Sequence, residues 1–235
     1  MRIPWLFSTA VVTLLGMGLG APTNAASEAA KTRTIDAQSI SSIKLKAGVG
    51  SVRIESGSGD TLEARVTLRA KRTTGIFSSL PDVEKLEISA TSRGDQLELG
   101  VDEKNIQEDW VLRLPNKKMS ALEIMVGVGD VKVLASAKRI EVDLGVGDAH
   151  IDVVSGAITI KVGTGDAHIK TALANAGDIK GVTGVGSTSL KGLEGTVKSN
   201  AVGGRVSGKG GGQQPIDATV GVGDLSIELD DKNLP

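Results

Sequence analysis

The 235-residue chain contains no cysteine. That excludes a disulfide, a thiol nucleophile and a lipid-modified cysteine, and leaves stability to burial and strand pairing. Tyrosine is absent too, and the aromatics comprise two Trp and two Phe, of which only Phe77 and Trp110 follow residue 25. Sites for sugars, bases and drug-like ligands lean on aromatic faces, so this poverty weakens small-ligand functions. Neither charge dominates: 27 basic residues stand against 28 acidic ones. Nucleic-acid binding, which calls for a basic excess, is not expected. Beyond the first residues no apolar run is long enough to span a bilayer, so no transmembrane segment is expected after that start.

The start itself reads as an export signal. Arg2 supplies a positive end, Val11 to Leu19 an apolar run, and Thr23 and Ala25 flank a cleavage site. The expected divisions are a signal peptide at 1–25, an N-terminal extension at 26–39, one β domain at 40–229 and a tail at 230–235. An exported protein, periplasmic or extracellular, follows.

What the chain has in abundance is a repeated tetrapeptide. Gly127-Val128-Gly129-Asp130, Gly145-Val146-Gly147-Asp148 and Gly163-Thr164-Gly165-Asp166 follow one another at a step of 18 residues. Gly184-Val185-Gly186-Ser187 comes 21 later, Val202-Gly203-Gly204-Arg205 is a worn copy, and Gly221-Val222-Gly223-Asp224 closes the series. A fixed period predicts stacked coils. The expected fold is all-β: a single-stranded, parallel β-helix-like solenoid of about 18-residue coils, regular from about residue 122, with an irregular β-rich N-terminal portion. Aliphatic pairs after each Asp position (Val131 and Val133, Ala149 and Ile151, Ala167 and Ile169) and before each glycine pair (Ile140, Val142 and Leu144, then Ile158, Ile160 and Val162) would stack into a thin core. Earlier copies of the turn chemistry at Gly48-Val49-Gly50-Ser51 and Gly57-Ser58-Gly59-Asp60 place the start of the series near residue 40, with a hairpin-rich insertion behind it.

Each coil must turn corners, and glycine reaches positive φ at little steric cost. Aspartate there can accept backbone N–H groups, as in an Asx turn. The glycines at 127, 129, 145, 147, 163, 165, 221 and 223 and Asp130, Asp148, Asp166 and Asp224 are therefore structural turn residues first. A ladder of carboxylates also offers oxygen ligands to calcium. The nonapeptide calcium repeat differs, since its Asp does not directly follow its second glycine. His150 and His168 recur inside Asp-Ala-His, making Asp148, His150, Asp166 and His168 candidate metal ligands. A solvated face is the plain alternative, because Lys132 and Ser189 fill the same column. Lys44, Lys46, Arg53, Arg65, Arg69, Lys71 and Arg72 form a candidate basic row for anionic envelope material.

No nucleophile elbow and no zinc-protease motif occurs, so a non-catalytic binding module is expected, with a structural or envelope-stress-associated periplasmic protein and a metal-dependent polysaccharide-acting enzyme as alternatives. Trp110-Val111-Leu112-Arg113-Leu114-Pro115, then Ala121-Leu122-Glu123-Ile124, then serial Gly-x-Gly-Asp turns resemble the bacterial putative-adhesin family of unknown-function domains. The resemblance covers most of 40–229 and breaks down after Gly184. It implies an exported or envelope-associated β-solenoid with no catalytic residues to carry over, and some relatives look linked to envelope-stress systems. The expected partner is an envelope polysaccharide or another protein, with self-assembly open if Asp230, Asp231 and Lys232 do not blunt the C-terminal edge.

Overall fold

The computed structural model describes residues 28–71, 81–153, 156–171, 176–191, 196–201, 206–209 and 215–228. The expected signal at 1–25, Arg72, Phe77, the worn copy at 202–205, the glycine run at 210–212 and the tail lie outside those residues.

The described residues are all β. Nineteen strands form two large mixed sheets, one of ten strands and one of nine, without closing into a barrel. Among the described residues no helix is long and apolar enough to cross a membrane.

The regular part explains itself from alternation. Strands β8 (Met119–Val128), β10 (Ala137–Val146), β12 (Gly156–Thr164) and β14 (Ala176–Val185) lie parallel in the nine-stranded sheet. Between them in sequence, β9 (Val131–Val133), β11 (Ala149–Val153), β13 (Ala167–Thr171) and β15 (Thr188–Lys191) lie parallel in the ten-stranded sheet. Identical places in the repeat meet: Leu122 beside Ile140, Ile140 beside Ile158, Ile158 beside Ile179. One parity of each strand is buried, and Val142, Leu144, Ile151, Ile160 and Ile169 have essentially no exposure. Burying each such aliphatic is worth about 1.5–3 kcal/mol. The branched residues suit a pleated surface and need no aromatic filler.

Upstream, β2 (Ser42–Val49) and β3 (Val52–Ser56) form a layer of the same kind, with Ile43 beside Leu122 and Val52 beside Val131. The chain then crosses to the far side of that layer and returns at β8. The excursion contains β4 (Thr61–Ala70), β5 (Ser89–Arg93), β6 (Gln96–Gly100) and β7 (Ile106–Leu114). There β6 and β7 pair parallel with β2 and β3. The antiparallel pairs fall here: β4 with β7, β5 with β6, and β1 (Glu28–Asp36) with β4. Residues 28–36, set apart by sequence as an extension, thus form a full edge strand paired over nine positions.

At the other end the layer order departs from chain order. Strands β18 (Pro215–Val222) and β19 (Leu225–Glu228) pair directly with β14 and β15. Strands β16 (Thr196–Ala201) and β17 (Val206–Lys209) sit outside them. The last layer in sequence is thus inserted beneath the one before it. The intact Gly221-Val222-Gly223-Asp224 corner thus lies against the glycine corner at 184 and 186.

Candidate functional site

Each described repeat corner is built from two glycines with different physical reasons. The second has φ between +132 and +141 at 129, 147, 165, 186 and 223, a region that side-chain-bearing residues rarely adopt. Space forbids a side chain as well: a Cβ on Gly147 would lie 1.9 Å from the Gly129 carbonyl oxygen of the neighbouring layer. The first glycine is required by approach alone. On Gly145 a Cβ would stand 2.4 Å from the Gly127 oxygen, and Gly163 meets Gly145 and Gly221 meets Gly184 in the same way.

The aspartates do accept backbone N–H groups, but across layers rather than inside their own turn. Asp130 Oδ1 accepts the Asp148 amide at 3.2 Å, Asp148 Oδ1 accepts that of Asp166 at 2.9 Å, and Asp166 Oδ1 accepts that of Ser187 at 2.7 Å. Each carboxylate thereby clamps the corner of the next layer, and each N–H dipole answers part of the like-charge repulsion along the row. Asp224 holds the equivalent place at the inserted layer, where its carbonyl accepts the Thr188 amide at 2.9 Å.

Between the glycines one residue of each layer points outward. Val128, Val146, Val185 and Val222 are 47–57% exposed and stand in register, with Thr164 between Val146 and Val185. Val49 begins the column and is half-buried. At about 4.8 Å per layer, this makes a straight apolar ridge flanked by bare glycine and, one residue on, the carboxylate row.

On the outer face of the ten-stranded sheet, His150 and His168 lie side by side, ring centroids 4.6 Å apart and planes tilted by 34°. With Lys132, Asp152 and Lys170 they line an open depression of about 270 Å³. The four candidate metal ligands therefore occupy two places: the imidazoles in the depression, Asp148 and Asp166 at the corner with an oxygen committed to the next layer. Among the described residues no three His, Asp or Glu side chains converge as a metal site.

The basic row is not one row. Lys44 and Lys46 project from the nine-stranded sheet and pair with Glu123 and Glu98. Arg53, Arg65 and Arg69 belong to the other sheet, where Arg53 pairs with Glu55 and Arg69 with Asp109 and Glu28. Alternation along each strand marks which residues face outward, but which strands share a sheet is a long-range property that it does not carry.

One cluster escaped the sequence reading. Glu108 is only 3% exposed beside Trp110, and the corner of the β2–β3 layer rests on it. Its Oε2 accepts the Trp110 indole N–H at 2.9 Å, and its Oε1 accepts the Gly48 amide at 3.2 Å. Burial pushes its carboxyl above the ordinary value, against these two donors. Next to it, Asp109 takes the Ser51 amide and hydroxyl at 3.0 and 2.8 Å, as the repeat aspartates do for their own neighbours. Burial would raise Asp109, yet the Ser51 bonds, Gln107 and Arg69 together hold it below the usual range. The signal was present: Ile106, Glu108, Trp110 and Leu112 share one inward parity, and a carboxylate on that parity must be satisfied.

No curated protein matches the chain. Among solved structures, a putative cell adhesion protein from Clostridium sporogenes is 15% identical over 87% of this chain and 100% of its own, with a TM-score of 0.47. A putative adhesin from Bacteroides fragilis is 13% identical over 86% of this chain and 97% of its own, with a TM-score of 0.39. A putative lipid binding protein from Parabacteroides distasonis is 12% identical, also over 86% and 97%, with a TM-score of 0.25. The family model for the N-terminal domain of toast_rack, DUF2154, matches residues 22–170, well over half of the chain. The chain belongs to that family of domains of unknown function.

Proposed function

We propose that the chain is an exported, non-catalytic β-solenoid that holds an envelope polymer or a protein partner along its repeated corner. The observation that carries this reading is the in-register ridge of Val128, Val146, Val185 and Val222 beside the aspartate row. A ridge of equal steps offers a linear partner the same weak contact several times, and weak contacts joined in one molecule add into useful affinity. Exposed apolar residues in a continuous line, rather than scattered singly, are also the pattern that interaction surfaces show.

Co-sedimentation of the purified protein with isolated cell-envelope material, at two salt concentrations, tests it. Saturable pelleting that survives high salt is expected of an apolar ridge, since salt weakens exposed charge contacts as the screening length falls from about 10 Å at about 0.1 M to about 3 Å at about 1 M. Pelleting abolished by salt would move the contact to the charged faces. A protein that stays in the supernatant under all conditions overturns envelope binding.

A further inference from the structure

We propose that His150 and His168 form a two-imidazole site for a borderline divalent transition metal such as copper, nickel or zinc. The parallel ladder fixes their relation: the two residues are direct partners in adjacent strands, both on the outward parity, with Ala149 beside Ala167 and Ile151 beside Ile169 buried on the other side. Their backbones are therefore anchored by core packing, while the rings, 4.6 Å apart, face the same depression. Neither imidazole has a hydrogen-bond partner among the described residues, so nitrogen lone pairs are available at both. A single cation placed between neighbouring rings can take one nitrogen from each, which is the donor type these metals prefer.

The arrangement also defines what the site is not. Calcium seeks oxygen donors, and Asp148 and Asp166 keep an oxygen on the amides of the next layer at the corner. Asp152, also in the lining, is drawn to Lys170 at 3.8 Å. Protein thus supplies two ligands and leaves the remaining coordination positions to water or to a donor from a bound partner. Lys132 and Lys170 beside the depression oppose a cation, so affinity rests on the pair of nitrogens together and not on general negative charge.

The test uses the purified protein without a histidine tag. Calorimetric titration with copper(II), nickel(II), zinc(II) and calcium should give one site for the transition metals, tightest for copper, and none for calcium at this place. His150→Ala and His168→Ala should each weaken copper binding at least about tenfold, whereas Asp148→Asn and Asp166→Asn should leave it within twofold. Pulsed electron paramagnetic resonance of the copper-loaded unmodified protein should count two imidazoles, a readout that does not depend on any variant folding. One imidazole or none in that spectrum, or undiminished affinity in either histidine variant, overturns the proposal.

Discussion

At the residue scale, the corner glycines carry the strongest constraints. Gly147 combines φ of +132 with a Cβ position 1.9 Å from a backbone oxygen. Gly94 also has positive φ, +65, but open space around it. Gly147→Ala should therefore cost at least about 2 kcal/mol, from backbone strain and overpacking together. Gly94→Ala should cost about 1 kcal/mol, the strain of the left-handed region alone. Urea unfolding followed by the fluorescence of buried Trp110 measures both. Equal costs would show that layer-to-layer approach is not what selects glycine. At the neighbouring position, Asp148→Ala should remove about 1 kcal/mol by leaving the Asp166 amide without its carboxylate, while Asp148→Asn keeps an acceptor oxygen and most of the stability. The spacing of Gly-x-Gly-Asp made these residues legible as corners. Their hydrogen-bond partners were not legible, because an Asp that bonds 18 residues onward looks the same in sequence as one that bonds within its own turn.

At the scale of elements, β7 shows where local pattern and long-range structure part. Its alternation revealed an inward face but not the two N–H donors that meet Glu108 there. Because both carboxylate oxygens accept, Glu108→Gln must turn its NH₂ toward one of those donors, and a loss of about 1–3 kcal/mol at neutral pH is expected. The two adjacent acids have opposite pH signatures. The raised folded pKa of Glu108 makes its contribution full below the unfolded value of about 4.3 and lost as pH rises through the folded value. The lowered folded pKa of Asp109 makes its contribution present above about 3.9 and lost as pH falls through the folded value. Unfolding free energies of Glu108→Gln and Asp109→Asn between pH 3 and 7 should diverge from the unmodified protein in opposite directions. Parallel curves would contradict the assigned environments. Strand β1 makes the companion point: its half-buried parity, Ala29, Lys31, Arg33 and Ile35, carries two charges, so no apolar alternation marks it as a strand, and only pairing with β4 gives it a place.

For the whole molecule, the period made the stacked layers visible in the sequence, and the columns Ile140–Ile158–Ile179 fell where the spacing put them. What no period could show is order among the last layers. Residues 215–228 lie beneath 196–201 and 206–209, so in the described residues β16 and β17 are held to the stack only through β18 and β19. A chain ending after residue 214 should lose that support and bare the glycine corner at 184 and 186. The expected outcome is a lower melting temperature and concentration-dependent self-association, since an uncovered sheet edge recruits other strands. Light scattering after size-exclusion chromatography reads it directly. A monomer of unchanged stability would mean that the inserted layer is dispensable.

The apolar ridge spans the same layers. Thr164 already occupies one of its rungs, so the fold tolerates threonine there. The decisive measurement is the affinity of purified protein for isolated envelope material, compared between the unmodified chain, Val146→Thr with Val185→Thr, and Val146→Asp with Val185→Asp. Binding along the ridge should weaken with threonine and lose saturation with aspartate, at unchanged stability of the threonine variant. Equal affinity in all three proteins would contradict it.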